Sequence, residues 1–150
     1  MARHLLDTNL VLRLVDSSDP LHALAVAATE KLIQAGHEPS IVPQVLIELW
    51  AVATRPTTAN GLGWEPSKAE RLVQTLQSRF TFLEDDHPVF GFWLNLASTY
   101  SVRGKPVHDT RIVAAMLSHG VTDLLTFNDA DFRRFTFINV LTPAELMKAP

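Results

Sequence analysis

The stretch Leu5-Leu6-Asp7-Thr8-Asn9-Leu10-Val11-Leu12 sets an aspartate, and an asparagine two positions later, inside an apolar run. An ionised carboxylate buried in such a run costs several kcal/mol unless it is paired or bound to a cation. Asp7 therefore either ends a strand and caps the following turn, or holds something. Glu48 poses the same choice. In Val45-Leu46-Ile47-Glu48-Leu49-Trp50-Ala51-Val52, helical offsets of three and four set it beside Val45 and Val52, on the apolar side of a helix. It is either a ligand or a glutamate at the stripe's edge reaching to water. Asp109, in PVHDTRIVAAMLSHG, stands at a helix start, where the macrodipole and free N–H groups also suit a plain N-cap. The tract LLTFNDADF adds Asn128, Asp129 and Asp131 just past a strand, as a polar turn or as further ligands.

The conjunction shifts the balance toward chemistry. Two carboxylates about 4 Å apart repel by roughly 4 kcal/mol at an effective dielectric near 20. Several could share one cleft only by taking up protons or by binding a multivalent cation. The donors are oxygens, with no cysteine anywhere and six histidines scattered without ligand spacing. That set favours Mg²⁺ or Mn²⁺ over zinc.

The elements that must position these acids read as short strands alternating with helices. Strands are predicted at 4–8, 40–42, 81–83, 123–127 and 137–141. A helix opens at Asp19-Pro20, runs through Leu21, Leu24, Ala28 and Leu32, and stops at Gly36. Pro43 starts another that runs to Thr54. Residues 57–64 form a loop, and Ser67-Lys68-Ala69-Glu70 matches a capping box. Further helices are predicted from Pro88 to Gly104 and from Asp109 to His119. Thr142-Pro143-Ala144-Glu145 caps a short terminal one. The alternation argues for an α/β domain with a short, mostly parallel central sheet, in which ligands gather at the carboxyl ends of strands.

At 150 residues, 47% hydrophobic and 19% charged, the chain suits a single domain over 1–150. No apolar run reaches a membrane span and no signal-peptide pattern opens the chain, so a cytoplasmic protein is expected. A net charge of −3 lacks the basic surplus of most nucleic-acid binders, yet cation-binding acids count as negative in such a tally. Trp50, Phe92 and Trp93 fit helical core spacing rather than base-stacking platforms.

In this order, LLDTN (5–9), VPQVLIELWAVATRP (42–56), YSVRGKPVHDTRIVAAMLSHGV (100–121) and LLTFNDADFRRF (124–135) resemble the PIN domain, specifically the VapC-type toxins of toxin–antitoxin pairs. The resemblance implies a three-layer α/β/α fold and a Mg²⁺-dependent endoribonuclease, with Mn²⁺ as an alternative ion. Asp7, Glu48 and Asp109 match the first three acids, with Asp7 and Asp109 as the principal metal ligands. The fourth position follows the T-x-N-x-x-D-F form, giving Asn128 and Asp131, with Asp129 as an extra carboxylate that could substitute. Asn9 and Thr126 match the polar residues that hydrogen-bond the acids, and Thr110 stands where alanine is usual.

Such an enzyme hydrolyses phosphodiesters with activated water, leaving 5′-phosphate and 3′-hydroxyl ends. Arg13, Arg55, Arg103, Lys105, Arg111, Arg133 and Arg134 are candidates for a basic rim that draws RNA to the acids. The family further implies a homodimer and a cognate antitoxin. Two other readings compete. One is a degenerate PIN domain that only binds RNA or protein. The other is a haloacid-dehalogenase-type phosphatase, which needs an acid where Asn9 stands. A dinucleotide-binding fold lacks its G-x-G-x-x-G.

Overall fold

The computed structural model describes residues 2–150. In chain order the elements are β1 (Arg3–Leu6), α1 (Thr8–Val15), α2 (His22–Gln34), β2 (Glu38–Ile41), α3 (Pro43–Thr54), α4 (Pro66–Arg79), β3 (Thr81–Phe82), α5 (Val89–Thr99), α6 (Pro106–His119), β4 (Asp123–Leu125), β5 (Asn139–Leu141) and α7 (Pro143–Lys148), with 3₁₀ turns at Thr57–Ala59 and Asp129–Asp131. The sheet order is β3-β2-β1-β4-β5, and every pairing is parallel. Successive strand residues point to opposite faces, and both members of Leu5-Leu6 and of Leu124-Leu125 are fully buried. Both faces of the sheet are therefore covered, as a parallel sheet requires. The cover falls into two groups, α1 to α4 with α7, and α5 with α6.

The chain runs outward from β1 through β2 to β3, then returns to β4 on the other side of β1. The crevice at such a reversal, outside the carboxyl ends of the strands, is where open α/β sheets bind ligands. Asp7 leaves β1 at that point and Thr126 leaves β4.

Several predicted boundaries move. β1 ends at Leu6, and the apolar residues after it form α1, a helix the sequence reading did not include. Asp7 is its N-cap, with φ −73° and ψ 160°. β2 starts two residues earlier than expected, while β4 and β5 are shorter than predicted. The expected capping box at Ser67 does not form. Pro66 already occupies the helix start with Glu65 before it, so Ser67 lies inside α4. α6 likewise opens at Pro106, which moves Asp109 from a cap into the first turn. α5 stops at Thr99, and Ser101 follows in the left-handed region at φ 50°. The box at Thr142 and Glu145 is present as read.

The segment after α3 folds back over the end of that helix. Leu62, Gly63 and Trp64 donate backbone N–H bonds to the carbonyls of Val52, Arg55 and Ala53, acceptors that a helix end leaves open. Gly61 makes this approach possible, since a Cβ there would lie 2.0 Å from the Arg55 carbonyl oxygen. Among the described residues no helix is long and apolar enough to cross a membrane.

Candidate active site

Asp7 is buried, with 4% of its surface exposed. Its Oδ1 accepts the Thr8 N–H at 2.8 Å, while Oδ2 accepts from the Asn9 amide at 3.0 Å and from Thr126 Oγ1 at 2.7 Å. Thr126 Oγ1 in turn accepts from the Asn9 amide at 3.1 Å and from the Asn128 N–H at 3.0 Å. Asn9 Oδ1 accepts from the Phe127 N–H at 2.9 Å, so its side-chain amide can lie only one way round. This network stitches the ends of β1 and β4 together around one carboxylate. Burial pushes the Asp7 carboxyl above its ordinary pKa; the Thr126 and Thr8 bonds pull it down, and Glu48 and Asp131 push it up further.

Glu48 projects from α3, half-buried. Its Oε1 accepts from the Gln44 amide at 2.7 Å and its Oε2 from Thr8 Oγ1 at 3.3 Å. Asp109, in the first turn of α6, is pushed up to about 7, first by burial and then by the charges of Asp7, Asp131 and Glu48, with Arg134 opposing. Asp131 is exposed on the 3₁₀ turn after β4, where its charge acts on both Asp7 and Asp109. Its neighbour Asp129 is engaged elsewhere, at 3.0 Å from Arg133. Four segments far apart in the chain thus bring Asp7, Glu48, Asp109 and Asp131 into one electrostatic group.

Glu48 and Asp109 also share a cleft of about 800 Å³, whose wall includes Gln44, Arg55, Lys105 and Arg111. Of the remaining rim candidates, none lines this cleft, though Arg134 is near enough for its charge to act on Asp109. Arg13 donates to the Asn9 carbonyl at 3.0 Å, pairs with Asp19 at 3.7 Å and covers the Phe127 ring at 4.9 Å. Arg133 is tied to Asp129, Glu145 and the Val140 carbonyl. Arg103 is exposed in the segment before α6, outside the cleft wall. Trp93 packs against the core and donates to the Val107 carbonyl, whereas Trp50 and Phe92 are exposed at 37% and 38% rather than buried.

Among the described residues, no three acidic or imidazole side chains stand close enough together to enclose an ion as they are placed. The donor chemistry nevertheless fits a hard divalent cation. Every candidate ligand is an oxygen, and the burial and neighbouring negative charges that raise the Asp109 carboxyl are what such a cation offsets.

Gln44 is the polar partner that sequence reasoning missed. Its position four residues before Glu48 on one helix face is the signal that pointed to it.

The PIN domain family model matches residues 4–138. No curated protein matches the chain significantly in sequence. Among solved structures, VapBC2 from Rickettsia felis, bound to a promoter DNA fragment, is similar with a TM-score of 0.70 and 15% identity, over 93% of this chain and 98% of that one. VapBC-1 from nontypeable Haemophilus influenzae gives 0.69 and 19%, over 95% and 98%. VapC20 from Mycobacterium tuberculosis, a toxin that cleaves the sarcin–ricin loop, gives 0.66 and 18%, over 91% and 97%.

Proposed function

This chain belongs to the PIN domain family, and from that premise we propose that it is a divalent-cation-dependent endoribonuclease, the toxin of a toxin–antitoxin pair working in the cytoplasm. One observation carries the reading: carboxylates from four separate segments meet at one place, where burial first, and then the charges of Asp7, Asp131 and Glu48, push Asp109 up to about 7. Buried carboxylates with raised pKa values, gathered at a strand-end crevice, point to a functional site, because burying charge without a partner is costly.

In this scheme Asp7 and Asp109 hold a Mg²⁺ or Mn²⁺ ion, with Glu48 and Asp131 completing its ligands or serving a second ion. Such an ion, when bound, supplies the charge that acidifies a water and offsets the phosphate oxygens. Thr126, Asn9 and the Thr8 N–H keep the Asp7 carboxylate in one orientation. Glu48, held by the neutral donors Gln44 and Thr8, is placed to accept a proton from the attacking water. Arg55, Lys105 and Arg111 line the cleft and attract the RNA backbone.

The partner side of the proposal is a cognate antitoxin and a second copy of the chain. The exposed apolar side chains of Ile47 and Trp50 on α3, which line one groove, are surface that such a partner would cover.

Incubation of the purified protein with total RNA, with Mg²⁺ or with EDTA, tests the activity. Cleavage that requires the ion and leaves 5′-phosphate ends is expected. No cleavage with either Mg²⁺ or Mn²⁺, or products ending in a 2′,3′-cyclic phosphate, would overturn it. Growth arrest on expression, reversed by a neighbouring gene's product, distinguishes a toxin from a housekeeping nuclease.

A further inference from the structure

Gln44 lies in the first turn of α3, one helical turn before Glu48, and is 8% exposed. Its amide nitrogen donates to Glu48 Oε1 at 2.7 Å and to the His108 carbonyl at 2.6 Å. Its amide oxygen accepts from Arg111 at 3.2 Å. These partners fix the orientation of the amide, with two acceptors facing nitrogen and a donor facing oxygen. Arg111 is itself anchored at 2.9 Å to Asp85, so the oxygen end of the amide is pinned to an ion pair.

We infer that Gln44 is a positioning residue, fixing the Glu48 carboxylate against the turn of α6 that carries Asp109; the inference rests on the divalent-cation reading above. His108 directly precedes Asp109, so the second amide bond ties the backbone of one acid to the side chain of another. Without it, α3 and α6 would present two acids on unconnected elements, and Glu48 would sample several rotamers. A glutamine that merely filled space would be replaceable by any side chain of its volume. This one uses both ends of its amide: the nitrogen joins Glu48 of α3 to the His108 carbonyl of α6, and the oxygen takes a second bond from α6 at Arg111. Residues that orient metal-binding carboxylates in this way typically contribute about 10- to 100-fold to metal affinity or activity.

The test compares wild type, Gln44→Met, Glu48→Ala and the double variant as full chains, by calorimetric Mn²⁺ titration and by RNA cleavage. Methionine preserves length and volume and removes the amide. The expected result is a cooperatively folded Gln44→Met protein that binds Mn²⁺ about tenfold or more weakly. In the Glu48→Ala background the same substitution should change affinity by less than about twofold, because the interaction it removes is already gone. Gln44→Met with wild-type affinity, or with an equal loss whether or not Glu48 is present, overturns the inference. A wild-type protein that neither binds Mn²⁺ nor cleaves RNA overturns the nuclease reading, and this inference with it. Should methionine prevent folding, Gln44→Asn, whose amide is too short to span its partners, is read the same way.

Discussion

Thr126 Oγ1 donates a 2.7 Å hydrogen bond to Asp7 Oδ2, joining residues 119 positions apart in the chain. The bond opposes the burial that drives the Asp7 carboxyl upward. It also leaves the threonine oxygen free to accept from Asn128 N–H. Thr126→Val keeps the shape and removes both functions. Stability is expected to fall by about 1–3 kcal/mol in urea unfolding, the cost of leaving buried polar groups unpaired. Mn²⁺ affinity should fall about 10- to 100-fold, as read by calorimetry. Unchanged affinity would show that the bond serves packing alone.

Asp7→Asn should fold and lose cleavage by at least about 100-fold, since the cation's contribution to the transition state is several kcal/mol. A variant that cuts RNA at the wild-type rate in Mg²⁺ would refute the role of Asp7. The tract after β4 offers a sharper comparison. Asp131 acts on Asp7 and Asp109, whereas Asp129 is held by Arg133. Asp131→Asn is therefore expected to impair cleavage, and Asp129→Asn to leave it within about twofold, the range of surface substitutions. The reverse pattern in a cleavage time course would reassign the fourth acid.

The raised pKa of Asp109 makes stability depend on pH when no cation is bound. The folded carboxyl titrates near 7 and an unfolded aspartate near 4, so the native state holds more protons between those values. Stability attributable to Asp109 is full below about pH 4 and is lost as pH rises through about 7. His4 works oppositely. Burial lowers its pKa, so stability falls as pH drops below about 6.5. Melting temperatures in EDTA should therefore differ between wild type and Asp109→Asn in slope, with the wild type losing more from pH 5 to pH 8. Saturating Mn²⁺ should remove that difference, and parallel slopes in EDTA would contradict the coupling.

Gly61→Ala tests the fold beside the cleft. A methyl group would meet the Arg55 carbonyl at 2.0 Å and force apart the loop that caps α3. Overpacking of this kind costs about 1–3 kcal/mol, and each kcal/mol lowers the melting temperature by roughly 2–4 °C at this chain length. A melting curve superimposable on the wild type would mean the loop can yield.

Arg55→Gln should weaken RNA binding at low salt and reduce the slope of log affinity against log salt by about one, as expected when a single phosphate contact is lost. Arg103→Gln, outside the cleft wall, should leave that slope unchanged. Equal slopes for all three proteins in filter-binding or anisotropy titrations would remove Arg55 from the rim.

The sequence revealed the architecture most clearly where proline marked a boundary. Pro43 and Pro143 start helices as expected, and Pro66 and Pro106 obey the same rule where a cap one residue later, at Ser67, and one three residues later, at Asp109, pointed elsewhere. The helix at Thr8–Val15 was hidden because eight mostly apolar residues fit a buried strand as readily as a helix. Only the cap at Asp7 distinguishes them. Of the candidate acids, Asp7 and Glu48 were conspicuous as carboxylates beside leucines, whereas Asp109 and Asp131 have no leucine beside them. The partners that orient them were less so, since Thr126 reaches Asp7, and Gln44 reaches the His108 carbonyl, only across the assembled sheet. Arg13 looked like a rim residue for the same reason. Nothing near it in sequence announces that Phe127 lies under its guanidinium.

The strand that delivers Asp7 sits in the middle of the sheet, between β2 and β4, although it precedes the other four in the chain. A ribosome that has released only the first hundred or so residues has made Asp7 and Glu48, but neither the helix bearing Asp109 nor the strand that supplies Thr126. Under the proposed nuclease reading, a nascent polypeptide that has not yet reached Thr126 lacks part of the site and is expected to leave RNA intact.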